Sequence, residues 1–255
     1  MRSIATIARH IQTKDIEWTD KYLSRTPFYS AYWIRKRIDH AIGVHAHVAH
    51  GTLLDVGCGI KPYERVFEPF VDNYIGLDFS PESGYRGNDA DVCGDAARMP
   101  IADSSVDTIL CTEVMVNLPE PERAITEFAR VLRPGGVLII TAPFVYPVHD
   151  ERDFFRFSGD GLAAMIKRRG MTVEKVVPLS GTALSLAVMF NLYWNDAGFL
   201  WTKWLYPIGV VFRPILWLMC FVVNVAGRVF ETLLPDGRLS FGHLTVAKKE
   251  LTTSK

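Results

Sequence analysis

A short apolar run that ends in two closely spaced glycines constrains the fold of this chain most strongly. The run covers residues 52–56 and has the character of a buried parallel strand, and it is followed by Gly57, Cys58 and Gly59 and by a helix-like stretch over residues 62–67. Glycines here let the backbone turn sharply and let a ligand lie against it, while the next helix offers free N–H groups. The pattern predicts a nucleotide-binding turn in an α/β sheet.

The turn fits a dinucleotide poorly. The dinucleotide fingerprint G-x-G-x-x-G requires a third glycine where this chain has Pro62, which also removes a backbone donor. Asp55 adds a carboxylate at the carboxyl end of the strand, where it favours an ammonium or sulfonium group over a phosphate. We therefore expect a positively charged cofactor, with a nicotinamide oxidoreductase as a weaker alternative.

Two further acidic residues follow strand candidates. Asp78 ends the strand predicted over residues 73–77 and lies 19 residues beyond Gly59, a spacing at which an acid commonly binds ribose hydroxyls. Asp95 closes a polar turn before an apolar strand over residues 106–111. Each acid alone fits a helix N-cap or a solvated turn equally well. Three acids in order at strand ends indicate a single ligand site.

The ordered motifs resemble those of the class I S-adenosylmethionine-dependent methyltransferases, in particular type 11-like members. The resemblance covers residues 51–180 and rests on five segments, residues 54–59, 76–80, 94–100, 105–114 and 131–137. It implies a Rossmann-like seven-stranded sheet with helices on both faces and S-adenosyl-L-methionine as cofactor. The apolar stretch before the last strand predicts a helical insertion, which departs from a minimal methyltransferase. The resemblance also implies cofactor contacts from Asp55, Gly57, Cys58, Gly59, Asp78, Phe79, Asp95, Ala96 and Glu113.

The resemblance assigns roles to several of these residues. Asp55 and Gly57 would hold the methionyl end, Asp78 the ribose and Phe79 the adenine face, with the adenine edge bound by Asp95 and the Ala96 amide. Alternatively, the Phe79 ring only packs against neighbouring side chains and does not contact the cofactor.

Two positions depart from the family pattern. Lys61 replaces a frequent third glycine, a variant that resembles methyltransferases of glycan and cell-surface pathways. Asn117 stands where many relatives carry histidine. A non-catalytic cofactor binder, such as an assembly factor, therefore stays open as an alternative.

Composition narrows the class further. The 255 residues are 49% hydrophobic, which suffices for one large core with elaborations. The 28 basic and 28 acidic residues cancel, so no global field attracts nucleic acid. No metal site is expected, because the nearest histidine cluster lacks neighbouring acids or thiolates; it comprises His45, His47 and His50. Without paired cysteine spacing or an apolar signal segment, we expect a cytoplasmic protein with small buried cysteines at positions 58, 93 and 111.

The loop after the predicted fifth strand, residues 137–142, holds the densest polar chemistry. Because ligands in open α/β sheets bind beyond the carboxyl ends of strands, residues 143–158 should flank the reacting methyl group. His149 has the most suitable unperturbed pKa for a general base, and Asp150 or Asp153 would orient it. Alternatively, His149 caps a turn while Asp153 and Arg156 form an ion pair that holds the loop.

Residues 180–240 are more apolar than a methyltransferase sheet edge requires, and aromatic residues cluster there: Tyr193, Trp194, Trp201, Trp204, Tyr206 and Trp217. The uncharged run 214–227 is about 14 residues, below the roughly 20 that a crossing needs. The resemblance pairs the predicted flanking strands, residues 172–177 and 244–248, in one sheet, which excludes a single crossing. We expect an interfacial or re-entrant helical pair on the inner face of a membrane, with an oligomer interface or a substrate lid as alternatives.

The sequence therefore predicts four segments: an N-terminal helical cap (1–50), a cofactor-binding core (51–180), an apolar helical insertion (181–240), and a last strand and tail (241–255). The expected function is O-methylation of a lipid-linked saccharide or another amphipathic acceptor at a membrane surface. A soluble small-molecule methyltransferase whose apolar segment forms a homodimer interface is the main alternative.

Overall fold

The computed structural model describes residues 23–79, 89–148, 152–204 and 208–251, with side chains described outside residues 196–212. It contains a seven-stranded sheet in the order β3-β2-β1-β4-β5-β7-β6. The strands are β1 Thr52–Val56, β2 Asn73–Asp78, β3 Val92–Cys93, β4 Val106–Thr112, β5 Leu132–Pro143, β6 Met171–Pro178 and β7 Gly242–Lys249. Strands β1 to β5 are parallel, and β7 runs antiparallel between β5 and β6. The predicted sheet is confirmed.

The helices of the described residues are α1 Tyr32–His45, α2 Glu64–Phe67, α3 Pro121–Val131, α4 Gly159–Lys167, α5 Thr182–Trp204 and α6 Ile208–Leu233, with short 3₁₀ turns at Ala46–Val48 and Met115–Asn117. The central strands are covered on both faces, as the resemblance implies. Consecutive residues Leu53 and Leu54 are both fully buried, as are Leu138, Ile139 and Ile140. Parallel strands covered on both faces read as continuous apolar runs, which is why the sequence identifies them.

One boundary differs from the sequence expectation. Strand β5 begins at Leu132 rather than at residue 137, because Leu132 pairs with Val106 across a register shift. Helix α4 begins at Gly159 and is capped by Ser158, whose Oγ accepts the Gly161 N–H at 3.1 Å.

The chain forms two compact units. The sheet unit contains residues 38–179 and the segment from Phe241 onward, and the helical unit contains residues up to Arg37 together with Ser180–Ser240. The four predicted segments therefore combine into two structural groups, in which the end of the N-terminal region is grouped with the apolar helices.

Within the helical unit, α5 and α6 pack closely around a buried amide pair. Asn191 Nδ2 donates to Asn224 Oδ1 at 3.0 Å, and both residues are fully buried. One turn further along α6, a Cβ on Gly227 would lie 2.5 Å from Cβ of Ala187, so only glycine permits this approach of the two helices.

The segment before and at the start of α1 lies along α6. The rings of Phe28 and Phe221 stack at 4.9 Å, and Trp33 Nε1 donates to the Asn224 carbonyl at 3.0 Å. Arg37 pairs with Glu231. Three contacts spaced along α6 therefore fix one of its faces against this segment.

Helix α6 passes through Pro214 without interruption. Residues 213–233 form a 21-residue stretch that is long and apolar enough, by length and composition, to cross a membrane. This stretch is longer than the uncharged run of about 14 residues, because the helix continues past Arg228 and Glu231.

Candidate cofactor-binding site

The glycine turn after β1 has the conformation that its sequence predicts. Gly57 and Gly59 have φ values of 76° and 52°, in the left-handed region that favours glycine. The Gly57 N–H donates to the Leu77 carbonyl at 2.7 Å, which closes the turn onto β2. A Cβ on Gly57 would lie 2.1 Å from Cγ2 of Val114, whereas a Cβ on Gly59 would meet no atom within 4 Å. The space beside Gly59 is open for a ligand.

Asp78 lies directly beside this turn. Its Oδ2 accepts the Gly59 N–H at 2.8 Å, and its Oδ1 accepts the Phe79 N–H at 2.7 Å. Because each carboxylate oxygen accepts about two hydrogen bonds, both oxygens keep acceptor capacity for a pair of hydroxyl groups. The geometry is compatible with the ribose role that the resemblance assigns.

Asp55 is a buried carboxyl at the end of β1. It is 2% exposed, and Oδ2 accepts the Tyr74 hydroxyl at 2.6 Å. The pKa of Asp55 is raised to about 7, mainly by burial and also by the Asp78 charge. The Tyr74 hydrogen bond and the Lys61 charge oppose this rise. A positively charged ligand would favour the ionised form.

Glu113 is the second buried carboxyl, immediately after β4. Its backbone has a φ of 58°, which is rare for a residue with a long side chain, and its N–H is held by the Thr141 carbonyl and hydroxyl at 3.2 Å each. Burial raises the pKa of Glu113 to about 7, against smaller opposing effects of Thr141 and Arg156. Within the described part of the chain, Oε1 of Glu113 is buried and has no hydrogen-bond partner.

The two buried carboxyls act on the same region. Burial raises the pKa of the Cys111 thiol, and the negative charges of Asp55 and Glu113 raise it further. Both acids therefore lie within electrostatic range of the end of β4, where each adds a poorly solvated negative charge once it is ionised.

The residues assigned to the adenine lie along the next two strand ends. Phe79 is 49% exposed, and the guanidinium of Arg152 lies 5.6 Å from its ring centroid. Asp95 is exposed and accepts the Ala97 N–H at 2.8 Å, while Ala96 is buried. Asp95 thus closes its turn, as the alternative role predicts, and one face of Phe79 has an unpredicted cationic neighbour.

The cysteines divide into two groups. Cys58 is buried, and its sulfur would lie 2.7 Å from a Cβ on Gly76, so its thiol packs against β2. Burial raises the pKa of Cys58 to about 12 and keeps the thiol protonated. Cys111 is also buried, but Cys93 is exposed, so the expectation of burial is wrong there. Cys93 belongs to a two-residue strand at the sheet edge, where β2 is the one neighbouring strand among the described residues.

Lys61 uses its side chain to hold the turn. It has a φ of 49°, and its Nζ donates to Asp91 Oδ2 at 2.6 Å. The same Asp91 oxygen accepts the Gly76 N–H at 2.7 Å. The residue that replaces the third glycine therefore links the turn, β2 and the segment before β3.

Tyr63, which follows the turn, is held by helix α1. Its hydroxyl donates to Asp39 Oδ1 at 3.1 Å, and burial raises the pKa of Tyr63 well above its usual range. The charges of Glu113 and Asp55 contribute to this rise, so Tyr63 belongs to the same region. Neither Tyr63 nor its partner Asp39 is among the site residues that the sequence predicts.

The loop after β5 is fixed by Arg156. This guanidinium pairs with both Asp153 oxygens and donates to the Tyr146 and Pro147 carbonyls at 3.0 and 2.9 Å. The predicted alternative, an ion pair between Asp153 and Arg156, is confirmed. His149 and Asp150 lie outside the described residues, so their catalytic assignment stays a prediction.

Comparison with known proteins agrees with this geometry. Residues 54–140 match the family model described as a methyltransferase domain. The match lies within the sheet unit and covers most of β1, all of β2 to β4 and most of β5, the strands that carry the glycine turn and the buried carboxyls. Among the described residues, no group of three or more histidine, cysteine or acidic side chains is arranged to hold a metal ion.

Two of the matched relatives are named as a sterol and a fatty-acid methyltransferase. The chain is 30% identical over 176 residues to a sterol 24-C-methyltransferase from Aspergillus fumigatus, covering 61% of this chain and 46% of that protein. It is 32% identical over 148 residues to a fatty-acid O-methyltransferase from Mycolicibacterium smegmatis, covering 54% and 53%. The chain spans about half the length, or less, of the curated relatives that it matches first.

Solved structures share the fold. The [4+2]-cyclase SpnF aligns with a TM-score of 0.54 at 21% identity, covering 84% of this chain and 81% of that chain. A candidate methyltransferase from Bacillus halodurans aligns with a TM-score of 0.50 at 18% identity, covering 84% and 99%. At these identities the likeness establishes the fold alone.

The family and fold imply S-adenosylmethionine as cofactor, and the side chains present fit it. Asp55 and Glu113, once ionised, suit an ammonium and a sulfonium group, and the space beside Gly59 is open. A pyrophosphate would instead meet the acids Asp55, Asp78 and Glu113, while Lys61, the cation at this turn, is paired with Asp91. Electrostatics therefore favour the positively charged cofactor.

We expect the Kd of S-adenosylmethionine to decrease about tenfold between about pH 6 and about pH 8. Burial raises the pKa of Asp55 and Glu113 to about 7, so both are largely neutral at the lower pH and ionised, hence attractive to the cation, at the higher one. Calorimetric titration across this range measures the effect, and the variants Asp55→Asn and Glu113→Gln should each flatten it. Tighter binding at low pH would contradict the assignment.

The Lys61–Asp91 pair gives a second prediction. Lys61→Met and Asp91→Asn should each weaken cofactor binding several-fold, and the double variant should be no weaker than either single variant, because both break one link. Lys61→Met should also move the pH midpoint of binding upward, since the Lys61 charge lowers the pKa of Asp55. Lys175→Met, an exposed change in β6, is the matched control. Additive losses would show that the two side chains act separately.

Proposed function

We propose that this protein is an S-adenosylmethionine-dependent methyltransferase that O-methylates a lipid-linked saccharide or another amphipathic acceptor at a membrane surface. The observation that carries the proposal is the pair of buried carboxyls, Asp55 and Glu113, beside an open glycine turn in a methyltransferase domain. Buried acids with a pKa near 7 and an unpaired oxygen are costly to folding, and they are typical of sites whose ligand completes them.

Each residue has a defined task in this proposal. When bound, S-adenosylmethionine supplies a methyl group on a positively charged sulfur. Asp55 and Glu113 hold the positive end, and Asp78 accepts the ribose hydroxyls. Holding an acceptor oxygen in line with that methyl group would supply much of the rate, so the contribution of this chain is to position the two groups.

The acceptor hydroxyl must lose a proton, and His149 is proposed as the base that takes it. Asp153 is committed to Arg156, which leaves Asp150 as the residue proposed to orient His149. Residues 144–148 and 152–156, the described parts of this loop, follow β5, whose carboxyl end faces the same edge of the sheet as those of β1 and β4. This position supports a role in binding the acceptor.

Two observations support an amphipathic acceptor. Relatives named as sterol and fatty-acid methyltransferases act on apolar molecules, and this chain adds two long apolar helices. The lysine at position 61, by its resemblance to glycan-pathway enzymes, favours a lipid-linked saccharide. The proposed location is the cytoplasmic face of a membrane, with a peripheral or monotopic attachment.

A non-methylating function is the second candidate. SpnF, described as a [4+2]-cyclase, shares the fold, so the fold does not by itself determine the reaction. Asn117, in place of the histidine of many relatives, favours this candidate. Such a protein would bind the cofactor without turning it over.

Calorimetric titration of detergent-purified protein tests cofactor binding. We expect saturable binding of S-adenosylmethionine and S-adenosylhomocysteine and none of NAD. Asp78→Ala should weaken the first two by about tenfold or more, because hydrogen bonds to a charged group are lost. The matched control is Asp72→Ala, at the amino end of β2. Equal affinities in the two variants, or no binding by folded protein, would contradict the proposal.

Transfer of a labelled methyl group to membrane extracts tests the base. His149→Ala should lower the transfer rate by about a hundredfold or more while leaving the Kd of the cofactor unchanged, since general-base catalysis affects the chemical step. His149→Gln should not restore the rate, and raising the pH should do so in part. Near-full turnover by His149→Ala would remove His149 from the mechanism.

A further inference from the structure

Charge is distributed very unevenly between the two units of this chain. Over Met1–Arg37 and Ser180–Ser240 the sequence has 12 lysines and arginines against 6 acids, which leaves 16 basic and 22 acidic residues in the other unit. The overall neutrality of the chain therefore conceals a helical unit of net charge +6 and a sheet unit of net charge −6. Such asymmetry indicates a polyanionic partner for the basic half.

The same unit exposes a long apolar stripe. Six large side chains recur along α6 at helical spacing, and each is between 43% and 68% exposed: Ile215, Leu218, Val222, Val225, Val229 and Leu233. Only 17% of the most apolar window of this helix is buried. The core helix of a soluble domain would be mostly buried, so this stripe is available for an external partner.

Helix α5 carries a second exposed stripe with aromatic residues at one end. Leu186 and Phe190 are about half exposed, and Tyr193 and Trp194 follow one turn later at 70% and 42%. Tyrosine and tryptophan are enriched at the headgroup level of bilayers, where one end of the ring is apolar and the other polar. The order of side chains along α5 matches that gradient.

The interior faces of both helices already have partners. Asn191, Asn224 and Gly227 fill the contact between α5 and α6, and Phe28, Trp33 and Arg37 cover another face of α6. The exposed stripes are therefore not needed to hold the helical unit together.

Basic side chains at the start of α1 are directed to solvent. Arg35 and Lys36 are exposed, and neither forms an ion pair with an acid in the described ranges. The Lys36 ammonium lies 5.2 and 5.1 Å from the ring centroids of Tyr32 and Trp33, so its stem follows apolar surface. By contrast, Glu231 is neutralised by Arg37 and Arg228.

We propose that the helical unit docks on an anionic lipid bilayer, with the apolar stripe of α6 in the acyl region and Arg35 and Lys36 at lipid phosphates. The inference rests on the membrane-surface function proposed above and specifies the lipid. It requires no cofactor, so lipid binding and methyl transfer can fail independently.

A second copy of the chain is a poorer occupant of this surface. A symmetric dimer through the helical unit would bring two units of charge +6 together, and their repulsion would oppose the apolar gain. Anionic headgroups instead attract each nearby basic residue and leave the apolar stripe facing acyl chains. Charge complementarity therefore selects lipid.

Flotation of the full chain with vesicles, without cofactor, tests the proposal. Binding to phosphatidylcholine vesicles with about 30% phosphatidylglycerol should be at least about tenfold stronger than to phosphatidylcholine alone, and salt should reduce the difference. Arg35→Glu with Lys36→Glu should remove most of it. Arg65→Glu with Lys167→Glu, two exposed residues of the sheet unit, makes the same change in net charge and should have little effect. Leu218→Ser with Val222→Ser should weaken binding to both vesicles.

The outcomes separate the alternatives. Equal binding to both vesicle types, or equal losses in the two charge-reversed variants, would overturn the assignment of anionic lipid to the helical unit. Absence of vesicle binding together with a dimer that Leu218→Ser and Val222→Ser dissociate would identify a second copy as the occupant. An unchanged Kd for S-adenosylmethionine in each variant shows that the sheet unit is folded, and an unchanged helix signal in circular dichroism shows the same for the helical unit. When both are unchanged, a loss of flotation reports on lipid binding alone.

Discussion

Parallel pairing of β1 with β2 and β4 is the constraint on which the candidate site depends. Val56 pairs with Leu77 on one side and with Cys111 on the other, so three strands end at the same level of the sheet. The next residues along each strand then converge on one point beyond that edge. One register thus brings together the glycine turn, Asp78 and Glu113, which are separated by up to 56 positions in the chain. A slip of one residue in either pairing would turn these side chains to the opposite face.

The residues of the site destabilise the folded state, and the packing of the rest of the sheet compensates for this cost. Asp55 and Glu113 are buried with raised pKa values, so ionising them near neutral pH costs folding free energy. Between their unfolded values and about pH 7 the folded state binds more protons than the unfolded state, so stability falls as the pH rises through this range. Glu113 adds a left-handed backbone conformation. A fully buried core on both faces of the central strands holds these residues in place.

The sequence predicts the sheet well because covered parallel strands are continuous apolar runs that end at glycine or an acid. The start of β5 was missed because Pro134, Gly135 and Gly136 have the composition of a turn, whereas Leu132 extends the strand by pairing with Val106. Tyr74 and Arg152 were also missed. Each contacts a partner that is distant in sequence, Asp55 for Tyr74 and Phe79 for Arg152, and neither belongs to a local motif. A signal did exist for Tyr63, which lies in the same variant motif as Lys61.

The point where the chain leaves the sheet and the point where it returns lie side by side. The Leu179 N–H donates to the Gly242 carbonyl at 3.0 Å, and just beyond them the Ser180 N–H donates to Ser240 Oγ at 3.2 Å. The excursion of about 60 residues therefore begins and ends at one place, and the pairing of β6 with β7 does not depend on its length. In evolutionary terms this connection is a position at which helices can be gained, lost or exchanged while the cofactor chemistry of the sheet is conserved. Related proteins could in this way share one catalytic edge and reach different cellular surfaces.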